Sequence, residues 1–153
     1  MEIKDIQPQL YKQFSTILQH GKLSHAYLFS GGFGSFELAT WLSQALFCEN
    51  PENALPCGHC RSCRLVAQQE FTDLHIVEPD GQTIKTAQIR ELTQVFNESG
   101  YEGNQQVLLI KEDKKMPRKL RGISTYCGFF LSELQYVDRL QLIFLLGIGN
   151  GFI

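Results

Sequence analysis

The densest chemistry in this chain lies in the stretch CENPENALPCGHCRSC, residues 48 to 63. Cys48, Cys57, Cys60 and Cys63 follow the spacing C-x8-C-x2-C-x2-C. A thiolate is a soft anionic donor, and four of them at tetrahedral corners are what zinc takes in a structural site. Two residues between cysteines let one turn of chain present both sulfurs to one ion, and Pro56-Cys57-Gly58 supplies the tight backbone. The longer arm brings Cys48 back from the preceding segment. Disulfides are the other use of paired cysteines, but they belong to oxidising compartments. Redox C-x2-C chemistry needs only two cysteines, whereas here two overlapping pairs share Cys60. A closed four-thiolate shell leaves no position for water or substrate, so the expected role is to fix a loop. His59 is then a surplus donor facing solvent. Arg61 and Arg64 are too few to make a nucleic-acid surface, and Cys127 stands apart as an ordinary thiol.

A second stretch, SGGFGSFELAT at 30 to 40, follows the apolar run HAYLF. A phosphate-binding loop reads GxxxxGK[ST]: backbone N–H groups close on phosphate, the Lys reaches its charge, and the hydroxyl serves magnesium. Counted from Gly31, the last three of those positions are Phe36, Glu37 and Leu38. Glu37 puts a carboxylate where the cation belongs, and beside a triphosphate that is a repulsion of roughly several kcal/mol. In the first turn of a helix the same carboxylate is favoured by the helix dipole. Gly31, Gly34, Glu37 and Leu38 therefore read as the frame of a phosphate loop without its chemistry.

The elements needed to hold these residues are visible in the pattern. Leu10, Phe14, Ile17 and Leu18 share one face of a helix over 8–20, closed by Gly21. Residues 26–30 form a short buried strand. A helix starts behind Ser35 as N-cap, with Leu38, Trp41, Leu42, Ala45 and Leu46 on its apolar face. A short helix fits 61–70, strands fit 74–77 and 106–110, and Ile89, Leu92 and Phe96 line a helix over 86–99. Alternating strands and helices predict an α/β layered fold with a mainly parallel sheet. The 43% hydrophobic content suffices for a core, and a net charge of −2 excludes binding nucleic acid through bulk positive charge. MEIKDIQPQL has no apolar signal core, and no run reaches the ~18 residues of a membrane span. A soluble cytoplasmic protein is expected, with no membrane partner.

The glycine loop and the cysteine module occur together in an order that resembles the bacterial DNA polymerase III clamp-loader subunits of the AAA+ ATPase class. The resemblance rests on LSHAYLFSG, GGFGSFELATWLSQALFC, PCGHCRSC and IRELTQVFNESGYEGNQQVLLIKEDKKM, and covers about residues 1–116. It implies a P-loop NTPase-like parallel-sheet domain, with the four-cysteine zinc module 48–63 inserted. Motor subunits of that class keep an intact loop, while the delta-prime stator often has an eroded one. With Glu37 and Leu38 at the Lys and Ser/Thr positions, this chain looks like the delta-prime type. The same comparison puts Lys111 where the magnesium-binding Asp belongs and Glu112 where the catalytic Glu belongs. No intrinsic catalysis and no ATP binding are expected. The implied role is loading of the sliding clamp onto primer-template DNA, in a complex with the other clamp-loader subunits. The alternatives are an ATP-binding motor subunit and a stand-alone zinc-ribbon nucleic-acid binder.

The resemblance stops near Met116. Where the family continues with a regular helix, a sensor strand, a lid and a collar, residues 117–153 show apolar clusters that fit neither helix nor alternating strand. The expectation is an atypical tail, truncated or frame-shifted, on a chain that does not assemble stably.

Overall fold

Pro8, with its fixed φ and no N–H to satisfy, opens a helix whose first-turn donors need no intrahelical partner. This is α2 (Pro8–Gln19) in a computed structural model that describes residues 2–23, 26–30, 34–78, 80–81, 85, 87–88, 90–91, 106–112 and 140–147. A short helix α1 (Ile3–Ile6) precedes it, and Ile3 is buried. The remaining elements are β1 (Ala26–Ser30), α3 (Ser35–Phe47), α4 (Arg61–Ala67), β2 (Leu74–Val77), β3 (Gln106–Glu112) and β4 (Leu140–Gly147). Gly21 closes α2 as expected, at φ +64. Its N–H bonds to the Leu18 carbonyl and that of Lys22 to the Ile17 carbonyl, the two crossed bonds of a Schellman end.

The four strands among the described residues are all parallel, in the order β1-β4-β3-β2. Val107, Leu108 and Leu109 of β3 are fully buried and Ile110 nearly so. A parallel strand covered on both faces reads as an unbroken apolar run, which is what VLLI is. The sequence of β4, LQLIFLLG, is almost wholly apolar, and the strand pairs with β1 over Ile143 to Gly147 on one side and with β3 over Leu140 to Gly147 on the other. The sequence pattern of 117–153 offered no clean element. For residues 140–147 the structure corrects that reading, because an interior parallel strand lacks the alternation by which strands are usually recognised. The other tail residues, Cys127 included, lie outside the described residues. So does most of the expected helix over 86–99, of which Ala87, Gln88, Arg90 and Glu91 are described as helical.

Helices pack on the sheet through named contacts. Phe14 of α2 meets Tyr27 and Phe29 of β1 edge-on, at ring-centroid distances of 5.2 and 5.7 Å. Residues two apart on a strand share a face, so the two β1 rings receive the same helix. Leu38, Ala39 and Leu42 of α3 are fully buried and join Val107 and Leu109 in one core with Val66, Phe71 and Leu74. Each such leucine contributes about 1.5–3 kcal/mol by burial. The fully buried hydroxyl of Ser43 is satisfied inside its own helix by the Ala39 carbonyl at 2.8 Å. The core thus anchors α3 at both ends: its first turn stands at the glycine loop and its last turn delivers Cys48.

Candidate metal centre

Cys48 is the C-cap of α3, in extended conformation. Cys60 is the N-cap of α4, and Cys63 lies in that helix's first turn. Cys57 is held between them by a short detour. Glu52 and Leu55 exchange both backbone hydrogen bonds, at 3.0 and 2.9 Å. Asn53 and Ala54 turn the chain there at φ +50 and +66, and Gly58 turns it again at φ +77. The four Sγ atoms lie within 4.8 Å of one another, with Cys48 and Cys57 3.5 Å apart. A tetrahedral ion with Zn–S bonds of about 2.3 Å sets its sulfurs about 3.8 Å apart, so the cluster has the size and donors for such an ion. Cys60 and Cys63 are buried, while Cys48 and Cys57 are partly exposed.

Backbone donors make the cluster ready for negative charge. The N–H of Cys57 points to Cys48 Sγ at 3.4 Å, that of Cys60 to Cys57 Sγ at 3.4 Å, and that of Cys63 to Cys60 Sγ at 3.3 Å. Nearby backbone also favours the charged forms, that of Asn50 at Cys48, of Glu49 at Cys60 and of Gly58 at Cys63. Burial pushes the Cys60 thiol up, but the N–H groups of Cys63 and Glu49, with hydrogen bonds from Cys63 and Cys57, outweigh it and bring it to about 6. Burial is the largest effect on Cys48 and Cys63 and raises both. Four thiolates so close repel one another strongly, and a bound divalent cation is what makes all four anionic forms compatible.

The module is fastened to the sheet domain by side chains that spacing alone does not reveal. Gln44 Nε2 donates to the Cys63 carbonyl at 2.8 Å, tying α3 to α4. Glu49 accepts from Ser62 through both Oγ–H and N–H. His59 is exposed and its Nδ1 lies 2.9 Å from the Cys57 carbonyl oxygen, away from the thiols, as expected. Arg61 and Arg64 are exposed.

At the other end of α3, Gly34 and not Ser35 is the N-cap, with φ +77. This corrects the expected cap: the chain enters the helix through the left-handed region, which glycine adopts without penalty. Gly34 is buried, and a Cβ there would stand 2.7 Å from Ile6 Cγ2 and 2.8 Å from Gln7 Cγ. Glu37 is exposed in the first turn, where the helix dipole favours it. Leu38 is fully buried in the core. Lys111, at the end of β3, reaches Glu78 Oε1 at 2.5 Å and stands 4.0 Å from the centroid of the Phe36 ring. Gly31 lies outside the described residues, as does the side chain of Glu112.

A family model described as "DNA polymerase III, delta subunit" matches residues 6–120. The chain belongs to that family. DNA polymerase III subunit delta' of Bacillus subtilis is 36% identical over 117 residues, which are 75% of this chain and 35% of that relative. The delta' subunit of Pseudomonas aeruginosa is 31% identical over 114 residues, covering 72% of this chain and 34% of that protein. DNA polymerase III subunit tau of Salmonella typhimurium is 36% identical over 103 residues, 66% of this chain and 16% of tau. The chain therefore matches only 35% and 34% of the length of these delta' relatives. Both the glycine loop and the four-cysteine module fall inside the stretch that matches the family.

Proposed function

We propose that this chain is a delta-prime-type clamp-loader subunit acting in bacterial DNA replication. In this reading residues 1–116 form the AAA+-like domain and 48–63 its inserted module. It works in the cytoplasm with the other clamp-loader subunits, and through their complex with the sliding clamp and primer-template DNA. The observation that carries the reading is the family match over residues 6–120, together with delta' relatives 36% and 31% identical over 117 and 114 residues. The role is that of a fixed subunit. Leu38 is in the core and cannot offer a hydroxyl to magnesium, Glu37 turns a carboxylate to solvent, and Lys111 is engaged by Glu78 and Phe36. Cys48, Cys57, Cys60 and Cys63 hold a structural zinc ion; the ion supplies the charge that lets four thiolates coexist, and the module braces α3 against α4.

The tau relatives favour a second reading, an ATP-binding motor subunit. A titration of the purified chain with ATP and magnesium separates the two. No binding is expected at millimolar nucleotide, and micromolar affinity supports the motor reading instead. Cross-linking to a tau-type subunit, followed by mass spectrometry, tests the partner. The expected product is a cross-linked adduct even though no stable complex is expected to survive purification, and absence of the adduct at micromolar concentrations overturns the stator role.

A further inference from the structure

We propose that Glu49 is a positioning residue for the four-cysteine centre: it clasps the ligand that arrives from α3 to the two ligands carried by α4. The inference rests on the zinc reading of that centre. Glu49 follows Cys48 directly, so it stands on the arm that leaves α3. Its carboxylate Oε1 accepts the Ser62 hydroxyl at 2.7 Å and the Ser62 N–H at 3.2 Å. Ser62 is 5% exposed and lies between the ligands Cys60 and Cys63 in the first turn of α4. Glu49 therefore reaches from the arm that carries Cys48 to the turn that carries Cys60 and Cys63.

The first turn of a helix has backbone N–H groups with no intrahelical acceptor. In α4 two of them are provided for by the centre itself. Cys60 Sγ takes the N–H of Cys63, and Glu49 takes that of Ser62. The N-terminus of α4 is thus built from a ligand and a ligand's neighbour, and helix and sulfur cluster are positioned by the same contacts. Glu49 is not there for attraction to the centre. Zinc with four thiolates carries a net negative charge, and a carboxylate beside it is repelled. Its value is geometric: one carboxylate oxygen accepts both Ser62 donors and so fixes Ser62 and with it the directions of the Cys60 and Cys63 sulfurs. Groups of this kind around a metal typically alter affinity by about 10–100-fold when removed.

The test uses the full chain and compares wild type, Glu49→Ala, Glu49→Gln and Ser62→Ala. Zinc affinity is measured by competition with a chromogenic chelator, and the cobalt(II) form is followed by its absorption spectrum. Wild type is expected to hold zinc. Glu49→Ala and Ser62→Ala are each expected to weaken it about tenfold or more and to alter the cobalt ligand-field bands. Combining the two should weaken it little further, because they break one clasp. Gln keeps an oxygen acceptor for both Ser62 donors, so Glu49→Gln should stay within about threefold of wild type. If wild type holds zinc and Glu49→Ala matches it in affinity and spectrum, the positioning role is wrong while the zinc reading stands. If wild type fails to hold zinc, the zinc reading itself fails. If Ser62→Ala, the smaller perturbation, leaves affinity unchanged while Glu49→Ala lowers it, the clasp is not the cause and the proposal falls.

Discussion

Gly34 lets two explanations of a glycine-rich loop be separated by measurement. A glycine at that place can serve a phosphate, by letting the backbone approach it, or serve the fold alone. Here the fold requires it twice. The φ of +77 lies in the left-handed region, which costs an L-residue about 1–2 kcal/mol. A Cβ would also stand 2.7 and 2.8 Å from Ile6 Cγ2 and Gln7 Cγ, where carbon contacts want about 3.5–4.0 Å. Both atoms sit close to the backbone at the junction of α1 and α2, so that junction has to move. Overpacking of this size costs about 1–3 kcal/mol. Gly34→Ala should therefore destabilise the chain by about 2–5 kcal/mol in urea unfolding without any nucleotide. In an Ile6→Ala, Gln7→Ala background both clashing atoms are gone, and the same substitution should cost only about 1–2 kcal/mol. A loss under about 0.5 kcal/mol in the natural background would falsify the structural account of this glycine. So would equal losses in the two backgrounds, since the contact would then contribute nothing.

Other outcomes follow from the same structure. Cys60→Ser should abolish zinc retention and lower the melting temperature, and a chelator should lower wild type to the same value but leave the variant where it is. Gln69 ends α4 at φ +63, with its N–H on the Val66 carbonyl and that of Glu70 on the Leu65 carbonyl. Gln69→Gly relieves the left-handed penalty and should raise stability by about 0.5–1 kcal/mol in urea unfolding, after the extra freedom glycine gives the unfolded chain. His75 is depressed below its ordinary value by burial, with Asp73 only partly opposing. The unfolded chain then takes up the proton first, so stability should fall as pH drops below about 6.5 and level off below the folded pKa. His75→Gln should flatten that part of the pH profile, seen in melts between pH 7 and 5. Lys111→Met keeps the stem over Phe36 and removes the ammonium, and a loss of about 0.5–1 kcal/mol is expected from the cation–ring contact.

Legibility in the sequence varied with the range of the forces involved. The bounds of β1 and β2 were readable because each is a short apolar run bracketed by turn residues. All four sulfurs of the centre were readable because they lie within one short stretch and their spacing is itself the geometry. What fastens that stretch was not: Gln44, Glu49 and Ser62 look like ordinary polar residues until α3 and α4 are side by side. Ser35 carried the usual cap signal, yet the left-handed Gly34 holds the cap because the chain passes beneath Ile6 and Gln7. α1 is too short to show a period. β3 runs on through Lys111 and Glu112, two residues past the apolar run that marked it, because the ladder to β4 continues to Gly147. β4 was hidden by being interior.

The sheet order sets a timetable for synthesis. β1 touches the β3–β2 pair only through β4, which is the last of the described strands in the chain. Until residues 140–147 leave the ribosome, β1 and β3 each carry an open edge of unpaired N–H and C=O groups facing the gap that β4 will fill. Such edges are templates for pairing with other chains. The nascent protein must therefore wait with its sheet split down the middle, and any pause in translation ahead of position 140 lengthens the time in which a second nascent chain, and not β4, can enter that gap.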